Sequence, residues 1–246
     1  MERRDGKRKK KHAAQYRGGT EGSTSVWIEL KELDWEPFTS GLPELEFKKG
    51  EVIYHQEGRS PYVFFVKSGR VRMDIYSEGG RRRTLFIACA GSIFGELTPI
   101  DGEFNICEAI ASTNCKLLRM NGETFNDLIK TNSGFAWNVC YTLSQKLRIM
   151  SDSIKQLSFD NSKFKVANAM LQLFRRYSCD MPAGKKGLTL RFTHQELADL
   201  TGLSRVSVSN ILNEFVSLGY LEKQRGYFVA KDIEGLRKQY LSGEKI

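Results

Sequence analysis

The sequence has little of what reactive or cross-linked sites are built from. It holds three histidines, His12, His55 and His194, and no His-Glu-x-x-His motif, so a zincin-type metal centre is excluded. Its five cysteines, Cys89, Cys107, Cys115, Cys140 and Cys179, are odd in number, widely spaced and without a Cys-x-x-Cys. That argues against both a disulfide framework and a zinc ribbon. No apolar run approaches the roughly 18–20 residues of a membrane helix, and the one around Phe86–Ala90 is far too short. The basic N-terminus is not followed by an apolar stretch and does not read as a secretory signal. A soluble, cytoplasmic protein with no membrane partner is expected. Nucleophile elbow, phosphate-binding loop and metal-ligand cluster are all missing, so an enzyme is not expected.

What is present is a globular composition. In 246 residues, 40% are hydrophobic and 11% aromatic, enough for a sizeable core and for one large domain or two small ones. The net charge of +9 is unevenly spread. Residues 1–17 carry +6, residues 18–162 carry −3 and residues 163–246 carry +6. A mildly acidic middle between basic ends suggests a polyanionic partner, although charged faces can also be merely solvated. Residues 1–24, with Lys7-Arg8-Lys9-Lys10-Lys11 and a Gly/Ser-rich stretch, read as a disordered basic tail.

From residue 44 to 120 short apolar runs alternate with turn signals, as in Tyr62–Val66, Val71–Tyr76, Thr84–Ala88 and Cys115–Met120. Strands at about 8–12-residue spacing predict a sandwich or barrel. Near Ser133 the helical period takes over. Ala136, Cys140, Leu143, Leu147, Met150, Ile154 and Leu157 step by 4, 3, 4, 3, 4 and 3, a narrow seam that suits a two-helix coiled coil between subunits. Phe159–Ser162 breaks the period, and Asn161 or Ser162 can cap a new helix over 163–177. The expected organisation is α+β: a tail over 1–24, a β domain over 25–132, a dimerisation helix over 133–160 and a further domain over 161–246.

The sharpest signal lies at 193–218. Thr193-His194-Gln195-Glu196 is a capping box for a short helix with Leu197, Ala198 and Leu200 inside. Gly202 follows as a tight turn, and Ser204 caps a second helix with Val208, Ile211, Leu212, Phe215 and Val216 inside. Helix, Gly turn, helix is a DNA-binding helix-turn-helix pattern. The early residues Arg205, Val206, Ser207, Ser209 and Asn210 are of kinds that meet base edges or phosphates. Thr193, His194, Ser204, Lys185 and Lys186 are candidates around them. Gly219–Leu221 and Gln224–Val229 read as a β-wing.

On these motifs the chain resembles the Crp/Fnr family of bacterial transcription regulators. The resemblance spans about residues 44–240. It rests on Gly50-Glu51-Val52-Ile53, Val66–Val71, Gly91–Leu97 and Thr193–Leu212. It implies a jelly-roll sensor like the cyclic-nucleotide-binding β-roll, a long dimer helix and a winged helix-turn-helix. It also implies a homodimer, a small-molecule effector, an inverted-repeat operator in double-stranded DNA, and RNA polymerase as a partner of an activator. In cyclic-AMP-binding members a Glu meets the ribose and an Arg-Ser pair holds the phosphate. Gly95-Glu96-Leu97 matches the first, but Asn105-Ile106 stands where Arg-Ser would be, and Met150-Ser151 only half matches the adenine-facing pair. The cysteine cluster of iron–sulfur members is missing and His55 sits in a loop, so neither cluster nor haem is expected.

Among family branches the chain looks most like the halorespiration regulators of the CprK type. This rests on Met73-Asp74-Ile75, Glu78-Gly79-Gly80, Gly91-Ser92 and Leu97-x-Pro99 followed by Gly102-x-x-Asn105-Ile106. The likeness implies a chlorinated-phenol effector faced by a helix lysine, the place of Lys146, which could also be a solvated flank. The effector set is then Gly95, Glu96, Asn105, Lys146 and Met150. Cysteine oxidation at Cys140, or an unused pocket, is the rival input. Val206 and Asn210 replace the family's Glu and Arg in the reading helix, which predicts an A/T-richer half-site.

Overall fold

A computed structural model of the chain describes residues 26–28, 33–159, 161–181, 185–189, 192–224 and 227–241. The basic tail over 1–24 lies outside them, as do Arg225 and Gly226 of the expected wing. Among the described residues no helix is long and apolar enough to cross a membrane.

The first half is a β-roll of two sheets. One has the order β1 (Trp27–Ile28), β6 (Arg82–Cys89), β5 (Arg70–Tyr76), β8 (Glu108–Ala111), β3 (Val52–Tyr54). The other runs β2 (Glu44–Phe47), β9 (Cys115–Asn121), β4 (Tyr62–Ser68), β7 (Ile93–Phe94). All pairings are antiparallel except β1 on β6. Phe64, Val66, Val71, Met73, Phe86 and Leu117 fill the space between the sheets. Val63 and Phe65 point the other way, onto Phe125, Phe135 and Val139 of the helices outside. Tyr62–Val66 is therefore a continuous apolar run because β4 is covered on both faces.

Short helices α1 (Glu36–Thr39) and α2 (Leu97–Asp101) edge the roll. Helix begins earlier than the period suggests: α3 (Gly122–Thr131), capped by Asn121, precedes the long helix α4 (Ser133–Phe159), with Asn132 between them. The long helix has two apolar stripes, not one. Phe135, Val139 and Ile149 are buried with Thr142 and Lys146 on the helix's own roll. Beside them runs the expected seam. Leu143 and Met150 are half-buried, Cys140 is exposed, and Leu147 and Ile154 are 70% and 61% exposed. The side chain of Leu157 is outside the described residues.

The second half begins with α5 (Ser162–Tyr177), where the Asn161 side chain accepts from the Phe164 N–H at 2.9 Å. It continues through α6 (His194–Thr201), α7 (Arg205–Ser217) and α8 (Ile233–Leu241). A sheet of order β10 (Ser178–Asp180), β11 (Lys186–Leu188), β13 (Tyr227–Ala230), β12 (Leu221–Gln224) closes it, and β12–β13 is the wing hairpin. Met170 and Leu173 of α5 pack with Leu197 of α6 and Val208, Leu212 and Phe215 of α7. Val216, expected inside, is 38% exposed. It follows the buried Phe215 by one residue, about 100° round the helix, and falls off the core stripe. Trp27, Ile87 and Cys89 of the roll join this core, so the two halves share apolar packing. Arg82 of β6 adds an ion pair to the buried Asp199 of α6.

Candidate effector pocket and DNA-reading helix

The pocket lies where β3, β5 and β6, the turn after β7 and the segment leading into β8 meet α4. It is lined by Tyr54, Met73, Phe86, Gly95, Glu96, Asn105, Cys107 and Lys146, among others. Gly95 sits at φ 83°, and a Cβ there would stand 2.9 Å from the Tyr62 carbonyl oxygen; only glycine lets the chain turn so that Glu96 faces inward. Lys146 Nζ donates to both Glu96 carboxylate oxygens, at 2.6 and 2.7 Å, and the pair is buried. The ammonium also lies 5.8 Å from the centre of the Phe86 ring. Lys146 is thus a pocket residue and not a solvated flank. Burial pushes the Cys107 thiol up to about 12 and holds the Tyr54 phenol well above its ordinary value, so both stay neutral. Among the lining residues the charges are Glu96 and Lys146, and they cancel. The free space is about 30 Å³, room for a water. A larger guest must part the pair or move the walls, and an anionic guest competes with Glu96 for Lys146.

Of the five expected effector residues, Gly95, Glu96, Asn105 and Lys146 line this one cavity. Met150 packs instead against the core between the sheets, one turn further along α4. Asn105 is occupied at both ends of its side chain. Its amide oxygen accepts from Thr98 Oγ1 at 2.9 Å, and its nitrogen donates to the His55 carbonyl at 3.0 Å. Tyr54, Met73, Phe86 and Cys107 are lining residues that sequence reasoning misses. For Cys107 a signal existed: Asn105, Cys107 and Ala109 alternate inward with period 2.

The helix-turn-helix has the expected local chemistry. Thr193 Oγ1 accepts from the Glu196 N–H at 3.1 Å, and Glu196 accepts the Thr193 N–H at 2.7 Å. Gly202 turns the chain at φ 68°, a left-handed conformation that a side chain disfavours. Ser204 Oγ accepts from the Ser207 N–H at 3.0 Å and opens α7. Ser204, Arg205, Val206 and Asn210 are exposed, and Ser207 and Ser209 are partly so. Val206, apolar yet 68% exposed, is unexplained by packing within the chain. His194 stacks on Phe228, and burial, then Lys223 and Arg205, lowers its pKa. Lys185 is engaged by Glu222 at 3.1 Å, whereas Lys186 is exposed.

Residues 44–132 match the cyclic nucleotide-binding domain and residues 165–239 the Crp-like helix-turn-helix domain. The cyclic AMP receptor protein of Thermus thermophilus is 30% identical over 173 residues, covering 70% of this chain and 76% of that protein. The chain belongs to the Crp/Fnr family. It is a Crp/Fnr-type DNA-binding transcription regulator with an effector-binding domain. A solved Crp/Fnr transcriptional regulator from the same organism is 27% identical at a TM-score of 0.65, covering 81% of this chain and 98% of that one. A structure of CprK complexed with OCPA shares the Crp/Fnr fold at a TM-score of 0.66 and 16% identity, covering 87% and 98% of the two chains. At that identity the likeness is of fold alone. The relatives are transcriptional regulators and not enzymes.

Proposed function

We propose that the chain is a homodimeric activator whose paired α7 helices read an inverted-repeat operator, in concert with RNA polymerase. In this reading α4 carries the subunit contact through Cys140, Leu143, Leu147, Met150, Ile154 and Leu157. Val206 and Asn210 meet bases, while Thr193, His194, Ser204, Arg205, Ser207 and Ser209 meet the backbone. The effector is a small, mostly apolar anion of the halogenated aromatic class. It is not cyclic AMP.

The observation that carries the effector assignment is the engagement of Glu96. The carboxylate that would meet a ribose hydroxyl already holds Lys146 through both oxygens. Asn105 and Ile106 stand in the place of the phosphate-holding Arg-Ser, so a cyclic phosphate would find no guanidinium there. An apolar acid that displaces Glu96 from Lys146 gains a cation in an aromatic wall, which favours its anionic form. Such a guest shifts the protein between states only by its difference in affinity for them. Isothermal titration with chlorophenol-type acids and with cyclic nucleotides tests this. Binding of the aromatic acid, lost in Lys146→Met, is expected; micromolar nucleotide binding without aromatic binding overturns it.

A second reading, operator binding without an effector or under thiol control, is favoured by the small free volume and by the exposed Cys140. Full operator affinity of ligand-free, reduced protein would select the effector-independent form.

A further inference from the structure

The β5–β6 hairpin brings Arg81, Arg82 and Arg83 against the turn that opens α7. Between them is an open cleft of about 790 Å³, lined by these three arginines, Asp199, Ser204 and Arg205 among others. Asp199 supplies a carboxylate there, and Arg82 takes it. Arg82 also stands 3.8 Å from the buried Asp74. Arg81, Arg83 and Arg205 remain without a carboxylate partner among the described residues. Arg83 is half-buried, and its guanidinium stands beside Gly202, where a Cβ would meet it at 2.8 Å. A guanidinium stays charged, and partial burial without a counter-ion is costly. Three unmatched cations around one cleft therefore form a site for an anion. The N-terminal end of the α7 dipole adds to the positive potential at the same rim.

We infer that the Arg81–Arg83 edge of the sensor roll, together with Arg205, grips neighbouring backbone phosphates of the duplex that α7 reads. The geometry favours a duplex over a small phosphorylated molecule. Ser204 and Arg205 belong both to the cleft and to the first turn of the reading helix, and Arg81 is exposed at the hairpin tip. A duplex lying on α7 passes the mouth of the cleft. The sensor roll would then touch DNA itself, and a contact would link the sensor directly to the duplex. The inference rests on α7 being the reading helix.

The test is a salt series of duplex binding by full-length protein, read by fluorescence anisotropy on a fixed DNA fragment. Each lost phosphate contact lowers the slope of log K against log salt by roughly 0.9. Arg81→Gln is expected to reduce the slope by about one such step, and Arg81→Gln/Arg83→Gln by about two, with base preference unchanged. Lys130→Gln, on an exposed surface of α3, controls for general charge and should leave the slope alone. An unchanged slope in both arginine variants, while Arg205→Gln reduces it, overturns the inference and leaves the reading helix intact. An unchanged slope in Arg205→Gln as well overturns the reading-helix assignment. Titration of the DNA-free protein with inorganic phosphate and cyclic AMP separates the sources. Binding that the arginine variants lose, with no change in DNA slope, assigns the cleft to a free ligand and refutes the duplex contact. Arg81 is exposed, so its single variant decides the matter even if Arg83→Gln destabilises the fold.

Discussion

Lys146 of the long helix holds both carboxylate oxygens of Glu96, fifty residues earlier in the roll, at 2.6 and 2.7 Å. The pair is buried against Phe86 and couples the sensor to the helix that the proposed dimer is built on. Removing one partner leaves an uncompensated buried charge, which costs about 3–5 kcal/mol, whereas replacing both with apolar groups is far milder. Lys146→Met should therefore destabilise strongly in urea denaturation, and Glu96→Leu/Lys146→Met should recover most of the loss. Additive losses in the double variant would show that the two side chains are not coupled in solution.

Much of this architecture is legible in the residues. The strand runs, the Thr193–Glu196 box and the Ser204 cap depend on neighbours within a few positions, and local pattern reports them well. What is illegible is long-range. The inner stripe of α4, Phe135, Val139, Thr142, Lys146 and Ile149, shares the heptad spacing of the outer stripe. Only the presence of the roll surface tells which stripe is covered at home. The pairing of Arg82 with Asp199 is invisible for the same reason, since a charge in a sequence does not name its partner. Met150 misleads because a helix position one turn away from Lys146 still points partly inward, but into the core between the sheets and not into the pocket.

The outer stripe of α4 yields a separate expectation. Leu147 is 70% exposed in the single chain, so Leu147→Asp should leave the folded monomer intact while placing a charge in the proposed subunit seam. Sedimentation should then show a shift from dimer to monomer with an unchanged far-ultraviolet spectrum. A dimer that survives the change would move the subunit contact elsewhere.

Base reading by α7 is tested at Asn210. An amide pairs with adenine and a guanidinium with guanine. Asn210→Arg should exchange one preferred base per half-site, worth about 1–3 kcal/mol, in a selection from random duplexes. Unchanged preference would remove Asn210 from the reading surface.

His194 supplies a pH dependence. Burial, then Lys223 and Arg205, holds its pKa below the ordinary 6.5, so the folded protein binds the proton less readily than the unfolded chain. The stabilising contribution of the neutral ring is full above that value and is lost as the pH falls through it and on through the lower folded value. A nearby DNA phosphate has the opposite effect and returns the proton. Operator affinity should accordingly rise between about pH 8 and about pH 6, and His194→Gln should flatten the profile. The same rise in the variant would remove His194 from the interface.

The three tryptophans stand in three different settings. Trp27 is buried between roll and DNA-binding half, with its ring 6.0 Å from that of Tyr177 and an Arg176 guanidinium over it. Trp35 is wedged between Phe65 and Phe135 where α4 begins, and Trp137 stands 68% exposed on that helix. The chain thus carries its own optical reporters. With one indole kept and the other two replaced by Phe, emission from Trp27 would follow the parting of the two halves. Trp35 would follow the seating of the long helix on the sensor, and Trp137 the approach of the proposed second subunit.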